Sequence, residues 1–281
     1  MHKGIVRVRV PATTANLGPG FDCLGLALAC HNIATCQVSE RAAEDPFLQE
    51  VGNAFFKTSG VKEFYFTCTV AGEVPRSRGL GSSVTVRLGL LHGLNALSGE
   101  PLNANDLLAL CSRLEGHPDN AVPAAFGGFA ICSPNGQFIR HEVASHLRFV
   151  LLIPDFEMET HAAREVLPKE VAMADAVFSL GNTARIASAF ANRDYQQLTG
   201  AFGDRLHQPW RKKLLPFMEN VIAAGTEAGA YGGWLSGSGS TIACITEDYP
   251  DAVARAMKNA ADISAEVLIL EADNSGVRVL D

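Results

Sequence analysis

The chain has 281 residues, of which 47% are hydrophobic, so it can form one large domain or two ordinary domains around a full core. Its net charge is −7, with no run of lysine and arginine and no apolar run near the roughly 18 residues of a membrane span, which excludes nucleic acid and membranes as expected partners. The seven cysteines include no C-x-x-C pair, and their odd number favours reduced thiols in a cytoplasmic protein.

The first segment of the chain is strand-like and leads into a polar loop. Residues Ile5 to Val10 alternate as in a strand and do not resemble a signal peptide. The loop at 13–22 is rich in Asn, Asp and Gly, and such a loop can be a simple turn. Asn16 and Asp22 can equally offer hydrogen-bond acceptors to a ligand, and Asp22 can hold an ammonium group. Both interpretations remain open at this point.

The next part of the chain contains two predicted strands. Ile33 to Val38 and Glu63 to Val70 are rich in β-branched and aromatic residues, which favours β-structure. Between them, residues 41–49 are polar and predict a solvated connection. Residues 51–58 predict a short helical or irregular stretch.

A glycine- and serine-rich loop at 78–83 separates the second predicted strand from a leucine-rich helix that runs to Leu97. The first turn of a helix leaves backbone N–H groups without partners, and the helix dipole adds partial positive charge there. Glycines let such a backbone approach phosphate oxygens closely, so the loop predicts an anion site. Ser82 or Ser83 is expected to cap the helix. A plain turn with a serine cap is the alternative.

A predicted helix at 105–114 leads into a short polar segment that contains Glu115, His117, Asp119 and Asn120. One interpretation is a capped turn in which His117 and Asp119 pair locally. The other is a Mg²⁺ ligand at Glu115, with an amide or acid near a reacting hydroxyl, because Mg²⁺ needs only one or two carboxylates besides substrate phosphates. A zinc site is not expected, since no second His or Cys lies at ligand spacing.

The second half of the chain begins after predicted strands at 127–132 and 147–153, and the division is placed between residues 1–150 and 151–281. Helices are predicted at 171–191, 195–201, 216–228 and 249–260, and strands at 231–235, 241–246 and 266–270. The last alternation is typical of a small split βαβ sandwich. Arg164 and Arg211 are candidates for a carboxylate clamp, although a single arginine is more often a surface group.

Six motifs in this order carry a resemblance to a known family. They are PATTANLGPGFDCLGLAL at 11–28, VPRSRGLGSS at 74–83, LEGHPDNAVPAAFGG at 114–128, THAAREVLP at 160–168, DRLHQPWR at 204–211 and LSGSGST at 235–241. The chain resembles the GHMP superfamily of small-molecule kinases, which includes galactokinase and mevalonate kinase, and within it the homoserine kinase branch. It lacks the Walker A and protein-kinase motifs.

This resemblance implies an α+β, GHMP-kinase-like two-domain fold. Residues 1–150 would form a ribosomal-S5-like β/α domain that binds ATP, and residues 151–281 a ferredoxin-like α/β sandwich that completes the substrate site. The implied activity is ATP- and Mg²⁺-dependent phosphorylation of L-homoserine to O-phospho-L-homoserine in threonine biosynthesis, in the cytoplasm, by a possible homodimer. The alternatives are a kinase for another small amino alcohol or hydroxy acid, or a non-catalytic relative.

The resemblance also implies a role for each matched residue. The loop around the ATP phosphates would comprise Arg76, Ser77, Arg78, Gly79, Leu80, Gly81, Ser82 and Ser83. Asn53 would lie on the adenine side. Mg²⁺ would be held by Glu115 and by Ser82 or Ser83. The amino-acid site would comprise Asn16, Asp22, His117, Asn120 and Thr160, with Arg164 and Arg211 on the carboxylate. One or more of Arg76, Arg78 and Arg87 would stabilise developing charge.

The implied mechanism needs no protein base. In mevalonate-type relatives an acidic residue is thought to accept the hydroxyl proton, but the corresponding residue here is Asn120, which cannot act as a base. Phosphoryl transfer depends mainly on positioning and charge neutralisation. The catalytic residues would therefore be Asn120, which orients the hydroxyl, together with Arg164 and Arg211. The chain departs from the family pattern at Ser240, usually Pro, at Val84-Thr85-Val86, usually small alanines, and in a shortened segment at 39–62.

Overall fold

The computed structural model describes residues 4–280, which form two antiparallel sheets with helices packed on both. The strands are β1 (Ile5–Ala15), β2 (Leu24–Val38), β3 (Phe66–Gly72), β4 (Phe129–Cys132), β5 (Phe138–His141), β6 (Arg148–Pro154), β7 (Gly232–Leu235), β8 (Ile242–Thr246), β9 (Ala265–Leu270) and β10 (Arg278–Leu280). The first sheet has the order β10-β1-β2-β4-β5, with β3 also paired to β2, and the second has the order β7-β8-β6-β9.

Nine α-helices and one 3₁₀ turn occur within residues 4–280. They are α1 (Pro46–Ser59), α2 (Ser82–Leu97), α3 (Ala104–Glu115), α4 (Ala121–Phe126), α5 (Thr160–Glu165), α6 (Met173–Asn192), the 3₁₀ turn Tyr195–Leu198, α7 (Gln208–Arg211), α8 (Met218–Glu227) and α9 (Pro250–Ala260). Among the described residues, none of these helices is both long and apolar enough to cross a lipid bilayer.

Three apolar clusters hold these layers together. One lies between α1 to α4 and the first sheet, one between the two sheets, and one between the second sheet and helices α8 and α9. The middle cluster contains fully buried Phe129 and Phe190, whose rings stack at 4.1 Å, and buried Trp234. Each such large side chain contributes about 1.5–3 kcal/mol on burial, so the two sheets are firmly joined.

Helix α2 lies very close to the first sheet because two of its residues have no side chain. A Cβ atom on Gly89 would meet Ala34 Cβ at 2.5 Å, and a Cβ atom on Gly93 would meet Cys36 Sγ at 2.4 Å. The helix axis is therefore held against β2. This close packing determines where the N-terminus of α2, and the loop that precedes it, must lie.

Several predicted element boundaries are wrong. The strand predicted at Glu63 to Val70 spans Phe66–Gly72, and the predicted connection at 41–49 already contains the start of α1 at Pro46. The Asp45 side chain caps that helix by accepting a hydrogen bond from the Phe47 N–H at 2.9 Å, and proline suits a first helical position. Strands β5 and β10 were not predicted.

The end of the chain returns to the first sheet. Strand β10 pairs with β1, with Arg7 opposite Leu280. The four strands that precede β10 in the sequence, β6 to β9, form the second sheet. His31 on β2 and Asp273 just ahead of β10 are 2.7 Å apart (Nε2 to Oδ2), which ties this return to the same sheet. The division into residues 1–150 and 151–281 stays a proposal. It assigns β10 to the second part of the chain, although β10 pairs with β1 in the first sheet.

Candidate active site

A cavity of about 680 Å³ lies between the first sheet, α2, α5 and the turn after β7. Its volume is in the range of small-molecule sites. The lining residues that the sequence singled out are Asn16, Asp22, Arg76, Ser77, Arg78, Gly79, Gly81, Ser82, Ser83, Arg87, Glu115, His117, Asp119, Asn120, Thr160, Arg164 and Arg211. Leu80 is buried and does not line it, and Asn53 is exposed on α1, away from the cavity. All the other predicted site residues are thus brought to one cavity.

The loop at 76–83 forms one wall of the cavity and ends at the N-terminus of α2. The N-cap residue is Gly81, with φ of 67°, and no side chain in the described part of the chain caps the helix, so the predicted cap by Ser82 or Ser83 is wrong. Glycine adopts this left-handed backbone conformation without strain, whereas a serine at the same position would be strained. Among the described residues, the backbone N–H groups of Ser82 and Ser83 have no hydrogen-bond acceptor. These amides are available to an anion.

The carbonyl groups of the loop point away from the anion site, toward both sheets. Four consecutive carbonyls accept hydrogen bonds: Ser77 from the Met158 N–H (2.9 Å), Arg78 from the Thr241 N–H (3.1 Å), Gly79 from the Ser236 hydroxyl (2.7 Å) and Leu80 from the Thr13 N–H (3.1 Å). Because the carbonyl dipoles are bound on the outside, the loop presents its opposite, amide side to the cavity. The loop is therefore fixed by elements from both halves of the chain.

Close contacts make two loop glycines irreplaceable in this geometry. A Cβ atom on Gly79 would meet the Ser236 carbonyl oxygen at 2.1 Å, and one on Gly81 would meet Thr13 Oγ1 at 2.0 Å. The same Cβ on Gly81 would lie 3.4 Å from Asn120 Oδ1. The loop corner, β1 and the residue before α4 therefore meet at one point.

Glu115, at the end of α3, lies beside the start of α2. Its carboxylate accepts a hydrogen bond from the Ser83 hydroxyl at 3.1 Å and forms an ion pair with Arg87. Arg87 also lies 3.6 Å from Glu50 and over the Phe47 ring, with its Cζ atom 4.4 Å from the ring centroid. Arg87 is therefore the arginine that lines the cavity next to the predicted metal ligands.

The other two candidate arginines are held differently. Arg78 donates from Nε to the Pro154 carbonyl at 2.9 Å and from Nη1 to the Arg76 carbonyl at 3.2 Å. Its guanidinium group therefore braces the loop backbone. Arg76 itself is exposed at the cavity rim.

The opposite end of the cavity contains two arginines over one aromatic ring. The Cζ atoms of Arg164 and Arg211 lie 5.4 Å and 5.3 Å from the centroid of the Phe21 ring. Arg164 forms a bidentate pair with Asp22, at 2.8 and 3.0 Å. Asn16 accepts from the Asp22 N–H at 3.0 Å, which fixes the polar loop in place. The arrangement is typical of a site for a zwitterion, with one carboxylate and two guanidinium groups.

Arg211 is almost fully buried, with 2% of its surface exposed. It donates to the carbonyls of Ala163 (2.9 Å) and Gly237 (3.0 Å), and its Nη1 atom lies 3.1 Å from His207 Nδ1. Burial and the nearby Arg164 lower the pKa of Arg211 to about 10, so it stays charged at neutral pH. The backbone contacts aim its guanidinium group, which explains how a buried charge is tolerated here.

His207 supports Arg211 as a neutral imidazole. Its Nε2 atom donates to the Gly18 carbonyl at 2.7 Å, so Nδ1 is the acceptor for Arg211. Burial lowers the pKa of His207 to about 4, because a second ring proton would be desolvated and would also face a guanidinium N–H.

This lowered pKa predicts a loss of stability in mild acid. The unfolded chain binds a proton on His207 near its ordinary pKa of about 6.5, whereas the folded chain does not until about pH 4. The stabilisation is therefore complete above pH 6.5 and declines as the pH falls through this window, by about 2 kcal/mol at pH 5. Urea unfolding of the wild type and of His207→Gln at both ends of the window measures it. The pH-dependent difference should shrink in the variant and be unchanged in His161→Gln, whose imidazole is exposed.

Asn120 lies between the two ends of the cavity and is oriented by its neighbours. The Thr13 hydroxyl donates to Asn120 Oδ1 at 2.6 Å. Asp119, which is 2% exposed, accepts from His117 Nδ1 at 2.7 Å and from the Asn120 N–H at 3.0 Å. The hydrogen bond that His117 donates to the Asp119 carboxylate raises the pKa of His117. The local His117–Asp119 pair and the position in the cavity are therefore both present, and the two interpretations of this segment are compatible.

Several lining residues were not predicted. Phe21, Phe47, Leu48, Cys68, Val70 and Ser238 also line the cavity. Of these, Cys68 and Val70 are two positions apart on β3 and therefore lie on the same face of the strand. This spacing does not predict that the face lines a cavity. Phe21 lies in the quoted PATTANLGPGFDCLGLAL motif, and only the fold shows that both arginines reach it.

Comparisons with known proteins show which family the chain is similar to. Residues 41–128 match the GHMP kinases N terminal domain, and residues 186–263 match the GHMP kinases C terminal domain. The homoserine kinase of Caldicellulosiruptor bescii is 37% identical, covering 98% of this chain and 97% of its own, and that of Halothermothrix orenii is 35% identical, covering 96% and 94%.

Solved structures give the same result. The crystal structure of homoserine kinase from Cytophaga hutchinsonii has a TM-score of 0.90 at 25% identity and covers all of this chain and 98% of its own. The mevalonate kinase of Methanococcus jannaschii shares the fold, with a TM-score of 0.73 at 11% identity, covering 97% and 99%. The predicted GHMP-kinase-like two-domain fold is confirmed. The chain belongs to the homoserine kinase family of the GHMP kinases.

Proposed function

We propose that the protein transfers the γ-phosphoryl group of ATP to the side-chain hydroxyl of L-homoserine, giving O-phospho-L-homoserine for threonine biosynthesis in the cytoplasm. One observation carries the proposal: the same cavity has helix-start amides without an acceptor among residues 4–280 at one end, and a carboxylate with two guanidinium groups at the other. The first group suits a triphosphate, and the second suits an amino acid. A homodimer, which the resemblance implies, stays a proposal.

The nucleotide would lie along α2 with its base toward β3. The cavity wall there is formed by Phe47, Leu48, Cys68 and Val70, which provide an apolar surface for a purine ring. The phosphates would then reach the amides at Ser82 and Ser83. Asn53, assigned to the adenine side by resemblance, is exposed outside the cavity and has no part in this arrangement.

The residues beside α2 fit Mg²⁺. Glu115 and Ser83 supply a carboxylate and a hydroxyl 3.1 Å apart, and hard oxygen ligands are those that Mg²⁺ prefers. Of the two serines, Ser83 is the one bonded to Glu115, so it is the better ligand candidate than Ser82. When bound, Mg²⁺ supplies positive charge that neutralises the phosphate oxygens. Glu115 is shared with Arg87, which would supply further positive charge at the same place.

The amino acid would bind to both partners of the Asp22–Arg164 ion pair and replace the contact between them. Its ammonium group would bind Asp22, and its carboxylate would bind Arg164 and Arg211. Asp22 and Arg164 now neutralise each other, so the site keeps both charges ready without leaving either unpaired. Thr160 lies next to this end, with its hydroxyl 3.4 Å from that of Ser238.

Asn120 would align the acceptor hydroxyl with the γ-phosphorus atom, and the hydroxyl proton would pass to a phosphate oxygen. The side-chain amide is held by Thr13 on one side, so its direction is fixed before substrate binds. Asp119 does not serve as a base in this proposal, because its carboxylate is already bonded to His117 and to a backbone N–H. Positioning carries most of the rate enhancement in such a transfer.

Asn120→Ala should lower kcat about 100-fold with little change in the KM for ATP, because alignment is lost while the phosphate site remains. Thr13→Val should give a smaller loss of kcat, since Asn120 is kept but is no longer oriented. Steady-state kinetics on both variants measure this effect. An Asn120→Ala enzyme with wild-type kcat would show that the amide has no role in alignment.

The substrate assignment is tested with a panel of alcohols and ATP. ADP release and the mass of the phosphorylated product should identify L-homoserine as the preferred acceptor over D-homoserine, L-serine and hydroxy acids without an ammonium group. If another acceptor is phosphorylated and L-homoserine is not, that acceptor replaces L-homoserine as the assigned substrate. Nucleotide binding without transfer to any acceptor would favour the non-catalytic alternative.

A further inference from the structure

Two cysteines face each other next to the proposed nucleotide site. Cys36 on β2 and Cys68 on β3 are directly opposite in the antiparallel register, and their Sγ atoms lie 3.5 Å apart. All seven cysteines are free thiols. Opposed residues of antiparallel strands have Cα atoms about 4.5–5.5 Å apart, which lies inside the range of about 4.4–6.8 Å that a disulfide requires. The register of these two residues is therefore compatible with a disulfide between them.

The two thiols differ in exposure. Cys36 is fully buried under α2, with its Sγ atom 3.9 Å from the Gly89 carbonyl oxygen. Cys68 is half-buried and lines the cavity near Phe47 and Leu48. A small reagent in the cavity therefore reaches Cys68 and is kept away from Cys36. This arrangement is typical of a peroxide-reactive cysteine with a neighbouring resolving cysteine.

We propose that Cys68 and Cys36 form an oxidation site, at which a hydroperoxide converts Cys68 to a sulfenic acid and Cys36 then closes a reversible disulfide. In the first step the Cys68 sulfur bonds to one peroxide oxygen, the O–O bond breaks, and the other oxygen leaves as water or an alcohol. In the second step the Cys36 sulfur bonds to the Cys68 sulfur, the S–O bond breaks, and water leaves. Two thiols are oxidised and one peroxide is reduced.

The electrostatics of the pair support this order of events. A hydrogen bond from the Cys36 thiol lowers the pKa of Cys68, because it stabilises the Cys68 thiolate. The same hydrogen bond, together with burial, raises the pKa of Cys36. Cys36 therefore stabilises the thiolate form of Cys68, which is also the more accessible of the two thiols.

The disulfide would change the wall of the nucleotide site. Bonding shortens the sulfur separation to about 2 Å, so Cys68 Sγ must move toward Cys36 and away from the cavity. This consequence rests on the proposed nucleotide position, whereas disulfide formation itself does not. Oxidised enzyme should accordingly show a KM for ATP raised about threefold or more, with the KM for the amino acid unchanged.

The test is differential alkylation of the whole protein after treatment with hydrogen peroxide, followed by peptide mass spectrometry. We expect a Cys36–Cys68 linked peptide pair that dithiothreitol reverses. In Cys36→Ser, oxidation should stop at a Cys68 sulfenic acid that dimedone traps. Cys23 and Cys132 provide the internal control, because Cys132 N donates to the Cys23 carbonyl at 2.7 Å but no hydrogen bond joins their thiols among residues 4–280.

A second arm of the test uses nucleotide. ADP at about ten times its Kd should slow Cys68 oxidation about tenfold, because only the free fraction reacts. Disulfide formation without protection by ADP would support the oxidation site and contradict the placement of the nucleotide. Three other results would overturn the oxidation site itself. Cys68 could resist peroxide, or it could be oxidised to a sulfinic acid without linking to Cys36. In the third, a Cys23–Cys132 disulfide would form before Cys68 reacts.

Discussion

Gly81→Ala should lower phosphoryl transfer by at least about 100-fold while the protein stays folded. The added Cβ would lie 2.0 Å from Thr13 Oγ1, so β1 and the loop corner must separate, and the hydrogen bond from Thr13 to Asn120 would be strained. A displacement of about 1 Å at the reacting groups is enough for a rate loss of this size. The left-handed backbone adds about 1–2 kcal/mol of local strain. Steady-state kinetics with thermal unfolding separate the two effects.

Gly60→Ala is the matched control for this substitution. Gly60 ends α1 with the same φ of 67°, but an added Cβ has no atom of residues 4–280 within 4 Å. It should therefore lose similar stability to backbone strain and keep wild-type kinetics. Equal rate losses in the two variants would mean that strain, and not the contact with Thr13, disables the enzyme.

Arg211→Lys should raise the KM for L-homoserine about 100-fold and leave the KM for ATP almost unchanged. A lysine ammonium group keeps the charge, but it cannot reach the carbonyls of Ala163 and Gly237 and also present a planar fork to a carboxylate. Because these carbonyls are buried, the variant should also lose about 1–3 kcal/mol of stability. Kinetics for each substrate and urea unfolding measure the two losses.

Arg205→Lys is the control, since Arg205 repeats the same chemistry outside the cavity. Its Cζ atom lies 4.2 Å from the Phe178 ring centroid, and Nη1 lies 3.0 Å from Asp175. Both partners of that ion pair are substantially exposed, so its substitution should cost less than about 1 kcal/mol and leave both KM values unchanged. An unchanged KM for the amino acid in Arg211→Lys would remove Arg211 from the carboxylate site.

The sequence was most informative where local chemistry decides the structure. The glycine loop and the helix to Leu97 were predicted because backbone freedom and apolar spacing act over a few residues. The capping serine was predicted wrongly, since Thr13 and the contacts of Gly81 come from distant segments. The cap of α3 is a local arrangement, in which Asn103 caps the helix and Asp106 completes a capping box.

Partnerships between distant residues were beyond the reach of sequence patterns. The pairing of Arg164 with Asp22 spans 142 positions, and both arginines meet Phe21 only after the two sheets pack together. Arg87 was one of three candidates until α3 placed Glu115 beside it. Such contacts depend on tertiary packing, which a residue's near neighbours do not encode.

The pairing of β10 with β1 has a consequence for how the molecule is made. Strand β1 leaves the ribosome before the nine strands that follow it in this sequence, yet one of its edges finds its partner only when residues 278–280 emerge. Until then that edge stays open to wrong partners, and the sheet that carries the loop is unfinished. Completion of this sheet should therefore be a late, slow event, as expected for contacts between residues that are far apart in the sequence.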